Sequence, residues 1–366
     1  MTPDRAAVVS EREQKILGII ETARAKRAKF RDERINMAHG AGGKATQSLI
    51  EGLLAPAFAS AALNELADSG ALDVNGSELA LTTDSYVVKP MRFPGGSIGE
   101  LAVNGTVNDL AVSGARPLAL SLALILEEGL PAEDLKAEVE AIARAAREAG
   151  VEIIAGDTKV VERGHADGMY VCTTGIGRRD PRARLSPAAL RPGDRILLSG
   201  SIGEHGTAIM LARGEFELDA EIESDTRSLW AVVDALLDAA GPALRCMRDA
   251  TRGGVASVLN ELARASSVAM IVRENAVPVR PDVAGAAEIL GIDPMYVANE
   301  GKLVAFVAPD AAQAALEAVR NVPGCEEAAE IGEVRTEPPG MVLVETSFGG
   351  KRVMDQLVGD PLPRIC

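Results

Sequence analysis

Leu79-Ala80-Leu81-Thr82-Thr83-Asp84 reads as a β-strand that delivers a carboxylate at its end, and the chain around it repeats that device. After a Pro/Gly loop at 90–96, residues 97–113 read as a helix, 117–126 as a buried strand and 131–149 as an amphipathic helix of Ala, Leu, Glu and Arg. Val151-Glu152-Ile153-Ile154-Ala155-Gly156-Asp157-Thr158-Lys159 again ends a strand in an acid, now with a lysine two residues on, and 169–177 is a further strand. Residues 178–193, rich in Pro and Arg, are the best candidate for a linker. Beyond it, the turn Pro192-Gly193-Asp194 opens a strand at 196–199, followed by helices at about 206–213 and 225–239. Arg248-Asp249-Ala250-Thr251-Arg252-Gly253-Gly254 leads an acid and a glycine pair into a helix at 255–265. Strand 268–273, helix 281–290, strand 302–308, helix 310–320 and strands near 329–335 and 341–346 complete the pattern. Such alternation is the mark of the α/β class, and 366 residues suggest roughly two domains.

Upstream, Met37-Ala38-His39-Gly40-Ala41-Gly42-Gly43-Lys44-Ala45-Thr46 precedes a helical run from Gln47 to about Ala59. A glycine-rich loop entering a helix N-terminus presents free backbone N–H groups and suits a phosphate. It is not a Walker A loop, since the first glycine would fall on Ala38 and the Ser/Thr on Ala45. Residues 10–30 form a candidate helix with a capping box (Ser10, Glu13) and an apolar face of Ile16, Leu17, Ile19 and Ile20. A solvated helix docked on the domain is the plainer reading, and a partner-binding arm the functional one.

The chain is 47% hydrophobic and 25% charged, ordinary globular composition, but poor in aromatics, so Ala, Val, Leu and Ile must build the core. A net charge of −15 argues against nucleic acid or an anionic membrane as partner. No apolar stretch approaches the roughly 20 residues that span a bilayer, and charges at Glu11, Arg12, Glu13 and Lys15 interrupt any signal-peptide pattern. A cytoplasmic protein is expected. Cys172, Cys246, Cys325 and Cys366 stand far apart, which excludes the usual zinc and disulfide spacings. Cys172, in a strand, reads as a small buried hydrophobe. Cys366 is the last residue of Pro361-Leu362-Pro363-Arg364-Ile365-Cys366, whose prolines oppose helix and describe a semi-stiff arm with a thiol at its tip. A frayed terminus is the plainer reading of that tail.

Four aspartates, Asp84, Asp109, Asp157 and Asp249, sit at element ends or beside glycines, and Ala298-Asn299-Glu300-Gly301-Lys302 sets another carboxylate just before a strand. Magnesium is held by a few carboxylates plus substrate phosphates, so the aspartates suit Mg-ATP. Any one of them could equally be a helix cap or a turn former. Asn104 and Asn108, four apart on one helix face beside Asp109, are costly to bury without partners and mark a polar site or a packing feature at even weight.

His39-Gly40-Ala41-Gly42-Gly43, Thr83-Asp84-Ser85, Val107-Asn108-Asp109-Leu110, Ala155-Gly156-Asp157-Thr158-Lys159, Asp249-Ala250-Thr251-Arg252-Gly253-Gly254 and Pro363-Arg364-Ile365-Cys366 together resemble the HypE family of hydrogenase maturation proteins. The resemblance runs in order from about residue 34 to the end. The internal motifs are shared, more loosely, with aminoimidazole ribonucleotide synthetase, selenophosphate synthetase and thiamine-monophosphate kinase, and the Cys366 tail is the part that discriminates. Selenophosphate synthetases have a Cys or selenocysteine near the glycine-rich loop, and none stands here.

The resemblance implies an α/β (α+β) chain with the two-domain aminoimidazole ribonucleotide synthetase-like fold and a flexible C-terminal tail. The division would be a helical extension (1–33), an ATP-binding and dimerisation domain (34–180), a C-terminal domain (190–355) and a mobile tail (356–366) carrying Cys366. It implies ATP-dependent dehydration of an S-carboxamide on Cys366 to an S-cyanide, with the carboxamide loaded by the carbamoyltransferase HypF and the cyanide passed to a HypC–HypD complex. ATP would be held by His39, Gly40, Gly42, Gly43, Lys44, Asn108, Thr158, Thr251, Gly253 and Gly254, and Mg2+ by Asp84, Asp109, Asp157 and Asp249. Glu300 and Lys159 are the candidate bases by their place in the matching motifs, and a surface carboxylate and an ion-paired lysine are the plainer readings. A homodimer is implied too, with a strand at 35–38 and its neighbours at the interface. Two other readings remain open on the residues alone: a small-molecule ATP-dependent synthetase or kinase, and a non-enzymatic thiol or metal scaffold.

Overall fold

The computed structural model describes residues 30–41, 43–58, 67–214 and 221–356. The candidate helix before residue 30, Gly42 and the tail with Cys366 lie outside the described residues.

Asn36 acts as an N-cap, its Oδ1 accepting from Ala38 N–H at 3.1 Å, and starts a 3-10 turn, Met37–Gly40. The strand expected at 35–38 is therefore absent: capping wins locally, and Ile35 and Met37 are exposed. Helix α1 (Lys44–Leu49) continues through a π-helical turn, Ile50–Leu54, into the short α2 (Ala55–Phe58).

Strands β1 (Gly70–Val74) and β2 (Ser77–Tyr86) form a hairpin on Asn75-Gly76, both at positive φ, as a tight two-residue turn demands. The short strands β3 (Arg92–Phe93) and β4 (Gly96–Ser97) lead into helix α3 (Ile98–Val112). Then come β5 (Ala115–Glu127), helix α4 (Ala132–Ala149), β6 (Glu152–Val161) and β7 (Met169–Arg179). They make a five-stranded sheet in the order β1-β2-β7-β5-β6, with only β5 and β6 parallel.

Period-two alternation sends Ala80, Thr82 and Tyr86 of β2 inward onto α3. That helix is apolar nearly all round, as one packed on every side must be, and Leu101, Val103, Val107 and Leu110 are fully buried. The amphipathic α4 lays Ile142, Ala145 and Ala146 against it. The other face of the sheet is uncovered: Leu81, Leu118, Ile154 and Val160 are exposed, and β6 is exposed almost along its length. This corrects two expectations. Within strand 117–126 only Pro117 and Leu120 are buried, Leu118 is exposed and the rest half-buried, and Cys172, on β7, is half-exposed with its Sγ 2.9 Å from Ser85 Oγ.

The C-terminal half holds β8 (Arg195–Leu198), α5 (Glu204–Ala212), α6 (Trp230–Ala240), β9 (Leu244–Asp249), α7 (Gly254–Ser266), β10 (Ala269–Arg273), α8 (Pro281–Leu290) and β11 (Leu303–Val307). It ends with α9 (Ala312–Arg320), β12 (Ala329–Arg335), β13 (Val342–Glu345) and β14 (Lys351–Met354). The seven strands run in the order β14-β13-β10-β12-β8-β11-β9, and both faces are covered. Ile196, Leu198, Val304 and Phe306 meet Val255, Leu259 and Leu262 of α7. Leu197, Ala305 and Val307 meet Val233 and Leu236 of α6 and Leu316 of α9. Ala111 and Val112 of α3 enter this second cluster, so one helix serves the cores of both halves. Among the described residues no helix is long and apolar enough to cross a membrane.

Candidate active site

The ends of β2 and β9, the C-terminal half of α3 and the residues before β11 converge on a cavity of about 340 Å³ lined by Asp84, Tyr86, Asp109, Asp249, Arg252 and Glu300. Strand pleat and helix pitch explain the convergence. Asp84 sits two residues beyond Thr82, on the same inward-facing side of β2, and Asp109 lies one turn after Gly105, where α3 crosses that strand. Thr82 Oγ1 donates to Asp109 Oδ2 at 2.8 Å and Thr106 Oγ1 to Asp84 Oδ2 at 3.0 Å, so each carboxylate is aimed by a neighbouring threonine. Gly105 leaves room for the Tyr86 hydroxyl, which would stand 2.2 Å from a Cβ there.

Asp68, just before β1, joins them. Carboxylate oxygens of Asp68, Asp109 and Asp249 all lie within 4.8 Å of one another, and Arg248, the penultimate residue of β9, pairs with Asp68. Burial, then the charges of Asp84, Asp249 and Asp68, holds the Asp109 carboxyl well above the usual range. Burial and Asp68 push Asp249 up to about 8, and burial also raises Asp68 and Asp84. Crowded, oxygen-only, mutually repelling acids are the donor set a hard divalent cation such as Mg2+ satisfies. The residues present fit that ion.

Residues 66–179 match the family described as AIR synthase related protein, N-terminal domain, and 191–344 its C-terminal domain. The chain is 50% identical over 337 residues to the carbamoyl dehydratase HypE of Bradyrhizobium diazoefficiens, covering 92% of this chain and 97% of that one. A crystal structure of a HypE–HypF complex superposes with a TM-score of 0.80 at 44% identity, covering 84% of this chain and 99% of that one. One of HypE in complex with ATP gives 0.76 at 45%, covering 91% and 100%. The chain belongs to the HypE family.

Of the site residues expected from the HypE resemblance, Asp84, Asp109, Asp249, Thr251 and Glu300 line the one cavity. Glu300 is 3% exposed, and burial, followed by Asp225 and Asp249, holds its carboxyl well above the usual range. Gly253 and Gly254 open α7 with φ of 74° and 60°. A Cβ on Gly254 would stand 2.6 Å from the carbonyl oxygens of Met295 and Val297, so backbone approach at Gly254 and positive φ at both account for the pair before any ligand does.

Asn108 is spent elsewhere. Its Nδ2 donates to Arg227 O at 2.9 Å and Glu300 O at 3.2 Å, and its Oδ1 accepts from Leu229 N–H at 2.8 Å, so the amide ties α3 to the C-terminal half. His39 is buried: Nδ1 accepts from Asn36 N–H at 3.1 Å, which leaves the Nε2 proton for Asp32 Oδ2 at 2.9 Å. Gly40 O accepts from Arg252 Nη1 at 2.8 Å, which sets the glycine-rich loop beside the cavity. Gly43 caps α1, and Lys44 Nζ lies 3.0 Å from Asp355 Oδ2. Asp157, Thr158 and Lys159 stand on the exposed β6, with Lys159 Nζ 2.8 Å from Asp157 Oδ2, and none of the three lines the cavity.

Sequence reasoning missed Asp68, Tyr86 and Asp225. Asp68 had one faint signal, an acid two residues before the glycine that starts a strand; the other two had none.

Proposed function

We propose that this chain is an ATP-dependent carbamoyl dehydratase that converts an S-carboxamide on its own Cys366 to an S-cyanide for nickel–iron hydrogenase maturation. The observation that carries the reading is the cleft in which a crowded acid cluster faces Glu300 in a HypE-family chain. An amide oxygen is a poor leaving group, so ATP must first phosphorylate it. Phosphate then departs with that oxygen while the nitrogen gives up its protons, leaving R–S–C≡N, ADP and phosphate. Asp68, Asp84, Asp109 and Asp249 would hold Mg2+, which neutralises phosphate charge during the transfer. Glu300 lines the same cleft as Asp84, Asp109 and Asp249, where its carboxylate is placed to take a proton from the amide.

The partners and the assembly belong to the same proposal. A HypF-type carbamoyltransferase loads Cys366 and a HypC–HypD-type complex takes the cyanide, in the cytoplasm. Residues 34–180 form the ATP-binding and dimerisation domain, 190–355 the second, and 356–366 the carrier arm. The uncovered sheet face, with Leu81, Leu118, Ile154 and Val160, is the dimer surface, and because Lys159 and Asp157 stand on β6, any catalytic part they play depends on that dimer. The protein is expected to be a homodimer at micromolar concentration by light scattering, and Ile154→Glu/Val160→Glu to be a monomer. A monomeric wild type sinks this assembly.

The test of the activity is intact-protein mass. Incubation with the carbamoyltransferase, carbamoyl phosphate and ATP should add one carbamoyl group, and ATP alone should then remove one water. A small-molecule kinase or a thiol scaffold would show neither change.

A further inference from the structure

Residues 224–229 precede α6 as irregular chain, although a helix is expected from 225, and their hydrogen bonds show why. Ser224 N–H donates to Pro94 O at 2.8 Å, and the Thr226 hydroxyl lies 3.4 Å from Asn104 Nδ2. Asp225 turns the other way, into the C-terminal half, with its side chain only 6% exposed. Its Oδ1 accepts from Glu300 N–H at 3.0 Å, and its Oδ2 accepts from Gly301 N–H at 3.2 Å and Lys302 Nζ at 2.9 Å. One carboxylate thus grips three consecutive residues. The approach is so close that a Cβ on Gly301 would stand 1.9 Å from Asp225 O, which leaves glycine the only residue that fits.

We propose that Asp225 is the positioning residue for Glu300, the group that aims its side chain into the cleft. This rests on the reading of Glu300 as proton acceptor. Two hydrogen bonds from successive N–H groups to one planar carboxylate fix the peptide planes on both sides of the Glu300 Cα. From the opposite side Asn108 Nδ2 holds Glu300 O at 3.2 Å. With its backbone held on both sides, the Cα–Cβ bond of Glu300 is fixed, and from it the side chain lines the cavity together with Asp249. Lys302 makes the buried charge tolerable: its ammonium sits between Asp225 and Glu204, 3.9 Å from the latter. Misplacement of a reacting group by about 1 Å can cost about 100-fold in rate.

The test uses the full-length chain, loaded on Cys366 by its carbamoyltransferase, with ATP-dependent water loss followed by mass. Asp225→Asn keeps the volume but loses an acceptor, and should lower kcat about 10- to 100-fold while Kd for Mg-ATP stays within about 2-fold. Because that variant strands the Lys302 charge, Asp225→Asn/Lys302→Met carries the same expectation if the single variant fails to fold. Glu300→Gln should be the more severe loss, and adding Asp225→Asn to it should cost nothing further, since a residue that acts through Glu300 has nothing left to position. A merely structural Asp225 would lower the rate by the same factor in both backgrounds, and that result overturns the proposal. So does a wild-type kcat in Asp225→Asn while Glu300→Gln is inactive. Wild-type turnover in Glu300→Gln instead removes the role given to Glu300, and the proposal with it.

Discussion

Cys366→Ala is expected to abolish S-cyanide formation while leaving Mg-ATP binding within about 2-fold of wild type, since the proposed reaction uses the thiol to carry the carboxamide and not to hold the nucleotide. The chemistry needs one sulfur that can be loaded, dehydrated and unloaded at three places. Tethering it to the enzyme replaces diffusion by a high effective concentration. The other cysteines are poor substitutes. Cys246 and Cys325 are buried in the second sheet's core, and burial pushes the Cys246 thiol up to about 12, far from a useful thiolate fraction. Cys172 is half-exposed, but it sits on a strand of the sheet with its Sγ against Ser85, with no freedom to travel. Residues appended after Cys366 should also impair turnover, because extra chain must enter the cleft with the adduct. A carbamoyl adduct mapped to Cys172, Cys246 or Cys325, or cyanide delivery by the Cys366→Ala protein, would defeat the carrier role.

Asp249→Asn should lower ATP-dependent turnover by about 100- to 1,000-fold, with Asp84→Asn and Asp109→Asn in the same direction, since each removes a ligand charge and almost no volume. The same substitution should leave the metal-free fold no less stable at neutral pH. Unfolded, an Asp carboxyl titrates near 3.9; folded, that of Asp249 titrates near 8. Between those values the folded chain holds a proton that the unfolded chain has lost. The stabilisation linked to that proton is complete below about pH 4 and disappears as pH rises through 8. In EDTA the thermal midpoint should therefore fall between pH 5 and pH 8, the fall should be smaller in Asp249→Asn, and Mg2+ with nucleotide should reverse it. Unchanged turnover in all three variants would remove these carboxylates from the metal site, and a midpoint that rises with pH would contradict the crowding.

The α/β alternation was legible because apolar periodicity and glycine punctuation are local, and helix 281–290 is found at its expected bounds. Asp84, Asp109, Asp249 and Glu300 could be singled out because each lies at or near the end of a regular element, where a carboxylate has no routine packing task. Asp68 and Asp225 could not, since both lie in irregular chain whose meaning comes from partners at Arg248 and at 300–302. The Asn104/Asn108 pair was rightly marked as polar and buried, but periodicity cannot say whether such a face meets a ligand or another segment of the chain. For Asn108 it meets the backbone of Arg227, Leu229 and Glu300. Helix propensity over 225–229 lost to those same tertiary hydrogen bonds.

Helix α3 also sets the order in which the molecule can come into being. A ribosome that has released the first sheet has made a helix whose Ala111 and Val112 await α6, and whose Asn108 awaits carbonyls almost 120 and 192 residues downstream. Until the second sheet emerges, that flank is an apolar surface with unmet donors, and the loop that must close to cover it is long. The nascent first half is thus a waiting intermediate, most open to chaperones and proteases during the time it takes to translate the second.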